Sequence, residues 1–378
     1  MLQIDHVYEF FYQTLFKDFK VATLANGVMP PDQSLTVDIH VFNADQDVNQ
    51  IFLWDQEPVL AEFFNQLVEF IKNKNTPNLD RMVFATSEHS TQVTQLVNAN
   101  RFHSLYYFFH GFAALDWYRG YYALNYSKPV VKPYAYDYVS FNRIITNDRS
   151  YRIYLVSLLA ELKLLNCGQI SFNVTNNLFD DWRDEVSDPL TKLSECAQRH
   201  AEQYLTDINK LVIDKSTLPG SASADIPREV DALWNIVTET VFYYDKLHLT
   251  EKIFKPIVMK QPFMLLAAPG NLAYLKSYGF KTFDGIIDES YDSIQDPDQR
   301  IEAVVKQLTW YCSLSAEEKQ SVIEAISPIV EYNFHHFYGE FKHIITRELL
   351  DNTKQVFKEI GYDDSNVAYD SIYHVLTN

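Results

Sequence analysis

Apolar and polar residues along the chain fall into two rhythms that trade places. Leu35-Thr36-Val37-Asp38-Ile39-His40-Val41 alternates in the manner of a half-buried strand. Residues 51–54 and 105–109 are short unbroken apolar runs and 81–85 is one led by Arg81; all three read as strands. Helical spacing fills the gaps: residues 7–19 open the chain, Phe63, Leu67, Phe70 and Ile71 share one face, and 90–98 follows. The second half repeats the pattern. Residues 149–165 read as a strong helix, 168–172 as a strand and 189–211 as a long polar helix. After a loop at 219–224, residues 232–243 read as a buried strand, 250–259 as a helix and 262–266 as a strand. Residues 297–359 are helical and charged throughout. Strands alternating with helices predict an α/β fold with mainly parallel sheets and helices on their faces.

At about 150 residues per domain, 378 residues suggest two domains. The prolines of Lys128-Pro129 and Lys132-Pro133 stiffen a connector there, giving domains 1–133 and 134–325. Residues 326–378 then form C-terminal helices packing back on the first domain. Two such domains place a ligand cleft between them, at the carboxyl ends of the strands.

Composition narrows the chemistry. With 32 Lys and Arg against 50 Asp and Glu, the net charge is −18, which excludes an electrostatic coat for nucleic acid. The ten glycines never occur as G-x-G, as G-x-x-x-x-G-K or as G-x-S-x-G, so the dinucleotide fingerprint, the P-loop and the hydrolase elbow are absent. Cys167, Cys196 and Cys312 lie far apart in sequence and form neither a disulfide framework nor a metal knuckle; each reads as a small buried side chain. No Lys or Arg precedes Lys17, and the uncharged stretch 261–275 is too short to span a bilayer. The expectation is a protein of the cytoplasm.

His248-Leu249-Thr250-Glu251-Lys252-Ile253-Phe254-Lys255-Pro256 is the most informative stretch. Thr250 is a good N-cap, which puts Glu251 and Lys252 in the first helical turn. Free N–H groups, the helix dipole and Lys252 together suit a pyrophosphate, and a carboxylate such as Glu251 can accept ribose hydroxyls. The plainer reading is a capped surface helix whose acid suits the dipole.

Residues 235–291 resemble the nucleotide-sugar half of a two-Rossmann (GT-B) glycosyltransferase, of the bacterial and viral branch related to the α1,3-fucosyltransferases. Val237-Thr238-Glu239-Thr240 and Leu249-Thr250-Glu251-Lys252-Ile253-Phe254-Lys255-Pro256 carry the likeness, with Gln261-Pro262-Phe263, Ala268-Pro269-Gly270 and Tyr278-Gly279-Phe280 behind them. The resemblance implies that Thr250, Glu251, Lys252 and Lys255 sit at the nucleotide, Glu251 on the ribose and Lys252 facing the diphosphate, with Glu239 the matching upstream acid. A second block, Ser140-Phe141-Asn142-Arg143 and residues 149–172, resembles the entry to the same domain. There the family places a diphosphate-gripping arginine at a helix start; Arg152 matches best, with Arg143 and Arg149 as rivals. The first domain would be the acceptor side. Its blocks, Trp54-Asp55-Gln56-Glu57-Pro58, Thr86-Ser87-Glu88 and 106–119, are similar to less specific phage and bacterial ones.

Sugar transfer needs a held diphosphate and a base for the acceptor hydroxyl. Glu57, Glu88, His110 and Asp116 each follow an expected strand, the last two flanking an aromatic loop suited to stacking; a turn-forming role is the alternative for all four. Resemblance to fucosyltransferases implies inversion. The Glu-x7-Glu spacing common among retaining enzymes occurs only at Glu340 and Glu348, on the terminal helices. Asp180-Asp181 between Phe179 and Trp182 reads as a loop, and His335-His336 as structural, so neither metal nor cofactor is expected. The donor would be a nucleotide-diphosphate sugar. The acceptor would be a glycan or, given the viral flavour, a hydroxylated base of phage DNA in the host cytoplasm. A non-catalytic nucleotide-sugar or glycan-binding protein and a sugar-phosphate epimerase on the same plan are the competing readings.

Overall fold

The computed structural model describes residues 7, 10–23, 49–54, 58–59, 61, 64–65, 68–69, 81–121, 134–142, 144–172, 182–206, 208 and 231–378. The chain divides into two compact units: Met1–Arg119, Lys246–His248 and Gly339–Asn378 form unit 1, and Gly120–Asp245 with Leu249–Tyr338 form unit 2. The expected strand at 35–41, the connector at 128–133, Glu57, Arg143 and Asp180-Asp181 lie outside the described residues.

In unit 1, β1 (Lys20–Thr23), β2 (Gln50–Trp54), β3 (Met82–Thr86) and β4 (His103–Tyr106) form a parallel sheet in that order. β2 and β3 are buried at every residue, which is why their sequences run apolar without alternation. α1 (Thr91–Ala99) starts at Ser90, whose Oγ accepts from the Val93 N–H at 3.1 Å.

Two expectations are corrected here. Strand 105–109 stops at Tyr106, and α2 (Phe109–Trp117) begins after a gap of two residues. His110 and Asp116 therefore stand inside a helix and flank no loop. Residues 109–116 are all buried, so no polar face betrays the helical period, and a short all-apolar run cannot be told from a strand. Gly111 permits this packing, since a Cβ there would come within 3.0 Å of the Phe341 ring. Within the helix expected over 7–19, Val7 is α-helical and Phe10–Leu15 is a six-residue π-helix.

Unit 2 contains β5 (Tyr136–Asn142), α3 (Tyr151–Glu161), β6 (Gly168–Phe172), α4 (Trp182–Ser187), α5 (Glu195–Tyr204) and β7 (Ala232–Thr238). It continues through α6 (Glu251–Val258), β8 (Phe263–Leu266), α7 (Asn271–Ser277), α8 (Pro297–Cys312) and α9 (Ala316–His336). All four strands are parallel, in the order β6-β5-β7-β8. Gly168 faces Tyr138 in the register, and a Cβ would meet the Tyr138 ring at 2.3 Å, so only glycine fits. α3 is buried through residues 151–159 and packs against α5 and α8. The polar helix expected over 189–211 is shorter, starting at the Ser194 cap and ending at Tyr204. The strand expected to reach 243 ends at Thr238, where pairing with β8 runs out at Leu266.

A short π-turn at Phe337–Phe341 leads to α10 (Lys342–Glu359) and α11 (Tyr369–Thr377) of unit 1. α10 packs on β4 and α2, and Asn352 Nδ2 donates to the Tyr106 carbonyl at 2.9 Å. Residues 297–359 are thus helical, as their pattern predicts, apart from two short turns. Among the described residues no helix is long and apolar enough to cross a membrane.

Candidate functional site

The strand order of unit 2 has a consequence for chemistry. From β5 the sheet grows one way through β6 and the other way through β7 and β8. Connections that leave adjacent strands in opposite directions open a crevice at the carboxyl ends, here between β5 and β7. The described strands of unit 1 run in sequential order and contain no such reversal.

Three segments furnish the carboxyl end at this switch point. β5 ends in Phe141 and Asn142, β7 runs into Glu239 and Thr240, and α6 begins at Thr250. Glu239 is wholly buried, and its carboxylate accepts from Thr240 N at 3.3 Å, Thr250 N at 3.2 Å and Thr250 Oγ1 at 2.6 Å. The acid therefore ties the N-cap of α6 to the end of β7. Lys252 donates to the Thr240 and Thr250 hydroxyls, at 3.1 Å each, and stands 3.7 Å from the buried Glu251 carboxylate. Lys255, one turn on, lies 5.2 Å from the Phe141 ring centroid. Asn142 Oδ1 is buried with no hydrogen-bond partner among the described residues. Lys252 stands beside the Glu251 carboxylate at a helix N-terminus whose dipole adds positive potential, and Lys255 follows in the last turn of the same helix.

The loop after β7 is held from beneath. Arg152, at the start of α3, is buried and donates to the carbonyls of Ile144 at 2.8 Å, Thr238 at 2.7 Å and Glu239 at 3.4 Å. Tyr151 donates its hydroxyl to the Glu239 carbonyl at 2.7 Å and stacks on Phe242, and burial pushes its pKa up. Arg300 of α8 donates to the Phe242 carbonyl at 2.8 Å, and burial lowers its pKa to about 10. Arg149 sits half-buried in the turn before α3. Arg152 thus spends its described bonds on the backbone that positions Glu239. Nothing in the sequence pointed to Arg300, 58 residues from its partner.

Two of the candidate bases of unit 1, Glu88 and His110, meet the tripeptide 246–248. Glu88 is buried and accepts from Val59 N at 2.7 Å, Ser90 Oγ at 3.0 Å and Lys246 Nζ at 2.9 Å; Lys246 also donates to the Val59 carbonyl. Leu247 and His89 exchange backbone hydrogen bonds of 2.8 and 3.0 Å as an antiparallel bridge. The His110 and His248 rings, both buried, meet edge to face at 5.2 Å. Asp116 is farther along α2, ion-paired with Arg119. Glu88 and His110 are thereby brought to one tripeptide, while Asp116 is not. His248 is the residue that sequence reasoning missed here, because a lone histidine before a helix cap carries no signal of its own.

No protein-family model, no curated protein and no solved structure matches the chain.

Proposed function

We propose that the chain is a glycosyltransferase of GT-B plan that moves a hexose or pentose from a nucleotide-diphosphate sugar to a hydroxyl acceptor. The observation that carries the reading is the capped N-terminus of α6 at the switch point of unit 2, with a half-buried Lys252 beside a buried Glu251. Such an end suits a diphosphate without a glycine loop. Glu251 takes the ribose hydroxyls, Lys252 and the first-turn N–H groups take the diphosphate, and Lys255 adds charge nearby. Arg152 and Arg300 position the loop that carries Glu239.

In an inverting transfer the acceptor oxygen bonds to the anomeric carbon as the bond to the diphosphate oxygen breaks. The acceptor proton passes to a base, and the leaving charge stays on the helix N-terminus. Glu88 is ion-paired with Lys246 and Asp116 with Arg119; in this reading the base is His110, whose buried ring meets that of His248 and whose side-chain type most often carries such proton transfers. Neither metal nor cofactor enters this scheme. The acceptor is a glycan or a hydroxylated base of phage DNA, and a net charge of −18 weighs against a long duplex footprint. A cytoplasmic site of action belongs to the same reading, since the donor is made there.

Engagement of Glu88 and Arg152 by internal partners favours one second reading, a binding protein without turnover. A thermal-shift screen over nucleoside diphosphates and their sugars tests the donor. One of them at about a hundred times its Kd should add about 2.7 kcal/mol of stability, and Lys252→Ala or Glu251→Ala should abolish the shift. If no nucleotide stabilises the chain, the reading fails. If one binds but no acceptor, glycan or hydroxymethylated DNA, elicits nucleoside diphosphate release, the binding-only reading takes its place.

A further inference from the structure

The opposite, amino-terminal edge of the unit 2 sheet holds a side-chain cluster unrelated to the nucleotide reading. Asp137 is the second residue of β5, Cys167 directly precedes β6 and Cys312 is the last residue of α8. Their carboxylate and sulfur atoms all lie within 4.8 Å of one another, and all three residues are half-buried. The backbone fixes two of them together, since Asp137 N donates to the Cys167 carbonyl at 2.8 Å. Lys319 of α9 reaches in and donates to Asp137 Oδ1 at 2.7 Å.

We propose that Asp137, Cys167 and Cys312 form a binding site for a zinc-class divalent cation that staples β5, β6 and α8 together. Two thiolates and a carboxylate are a donor set that such a borderline-soft ion prefers over magnesium or calcium. Around a tetrahedral ion with Zn–S bonds of about 2.3 Å, two sulfurs stand about 3.8 Å apart, so the two sulfurs need to close by at most about 1 Å. Charge also balances. Two thiolates and one carboxylate are met by a divalent ion and the Lys319 ammonium, which holds the ligating carboxylate from outside the coordination sphere. Each thiol releases its proton to solvent as its metal bond forms, and no electron moves. Solvent or a fourth ligand completes the tetrahedron on the open side of these half-buried groups. The ion is structural, because the cluster and the α6 N-terminus lie at opposite ends of the same strands.

The full-length chain, reduced and stripped with a chelator, is titrated with Co²⁺ as a spectroscopic stand-in and then with Zn²⁺. The expected result is one equivalent of Co²⁺ with thiolate-to-metal absorption, displaced by one equivalent of Zn²⁺. Cys167→Ser and Cys312→Ser should each lose that absorption, and Cys196→Ser, at an exposed position, should keep it. Lys319→Met should weaken binding by about 10–100-fold while leaving the spectrum. In the wild-type chain, which avoids any folding defect of the variants, Zn²⁺ should protect Cys167 and Cys312 from alkylation and leave Cys196 reactive. The proposal is overturned by absence of the thiolate band, by a band that follows Cys196, or by a Cys167–Cys312 disulfide that forms as readily with Zn²⁺ as without.

Discussion

Two lysine–glutamate pairs, one in each unit, put the same side chains to opposite uses. In unit 1 Lys246 and Glu88 meet at 2.9 Å with side chains 2% and 1% exposed. In unit 2 Lys252 and Glu251 stand 3.7 Å apart, and the lysine is 27% exposed. Taking both ions out of water is costly, and close geometry with further hydrogen bonds must offset it. The first pair has them, in Val59 N, the Val59 carbonyl and Ser90 Oγ. Lys252 is steered by two threonine hydroxyls and keeps part of its ammonium in solvent. Degree of burial, and not residue type, separates a pair that holds the fold from one able to meet an anion.

The comparison is broken most directly by truncating each lysine. Lys246→Ala leaves Glu88 charged and buried, and should cost about 3–5 kcal/mol in urea denaturation. Lys252→Ala should cost under about 1 kcal/mol, because its charge is partly screened already. Equal losses for the two would erase the distinction. A Lys246→Met, Glu88→Leu double variant sharpens it: removing both charges should recover part of the stability that Lys246→Ala loses, the remainder being the cost of the Val59 N–H and carbonyl left without these partners.

How much of this was legible in the sequence depends on the range of the interaction. The Thr250 cap and β6 are local, and both stand where their spacing puts them. The segment of α2 reads as strand and loop because burial on every side leaves an aromatic run without a period. The Glu88–Lys246 pair spans 158 residues, and Cys167 meets Cys312 across 145, distances over which spacing says nothing about contact. At the candidate site the sequence supplied the first turn of α6. It could not supply the backbone bonds of Arg152 or Arg300, since any buried arginine has the same letters as a ligand-binding one.

Between those extremes lies Glu239, which joins the end of β7 to the cap of α6. Glu239→Ala strands the Thr240 and Thr250 N–H groups and the Thr250 hydroxyl in a buried place, at a cost of about 2–3 kcal/mol. Thr250→Ala removes the cap and one of the three hydrogen bonds to the Glu239 carboxylate, leaves both N–H bonds to it, and should cost about 1–2 kcal/mol. Both are read as shifts of the denaturation midpoint at constant slope. A Glu239→Ala loss no greater than that of Thr250→Ala would mean that the carboxylate acts only through the cap.

A third pair supplies the weakest test and a different axis, pH. Lys260 donates to both Glu331 oxygens, at 2.9 and 2.8 Å, and His335 meets the same carboxylate at 2.9 Å, with Glu331 half exposed. The Lys260 hydrogen bond holds the Glu331 carboxyl below its ordinary pKa, with His335 acting the same way. A carboxyl depressed by folding stabilises the fold above its unfolded pKa of about 4.3, and that stability drains as pH falls through the lower folded value. Wild type should therefore exceed Glu331→Gln by under about 1 kcal/mol at pH 7, with the gap shrinking once the pH drops below about 4. It should also shrink in 1 M salt, where the screening length falls to about 3 Å. A gap unchanged by acid and by salt would trace to packing of the side chain, and exposure would then no longer rank the three pairs.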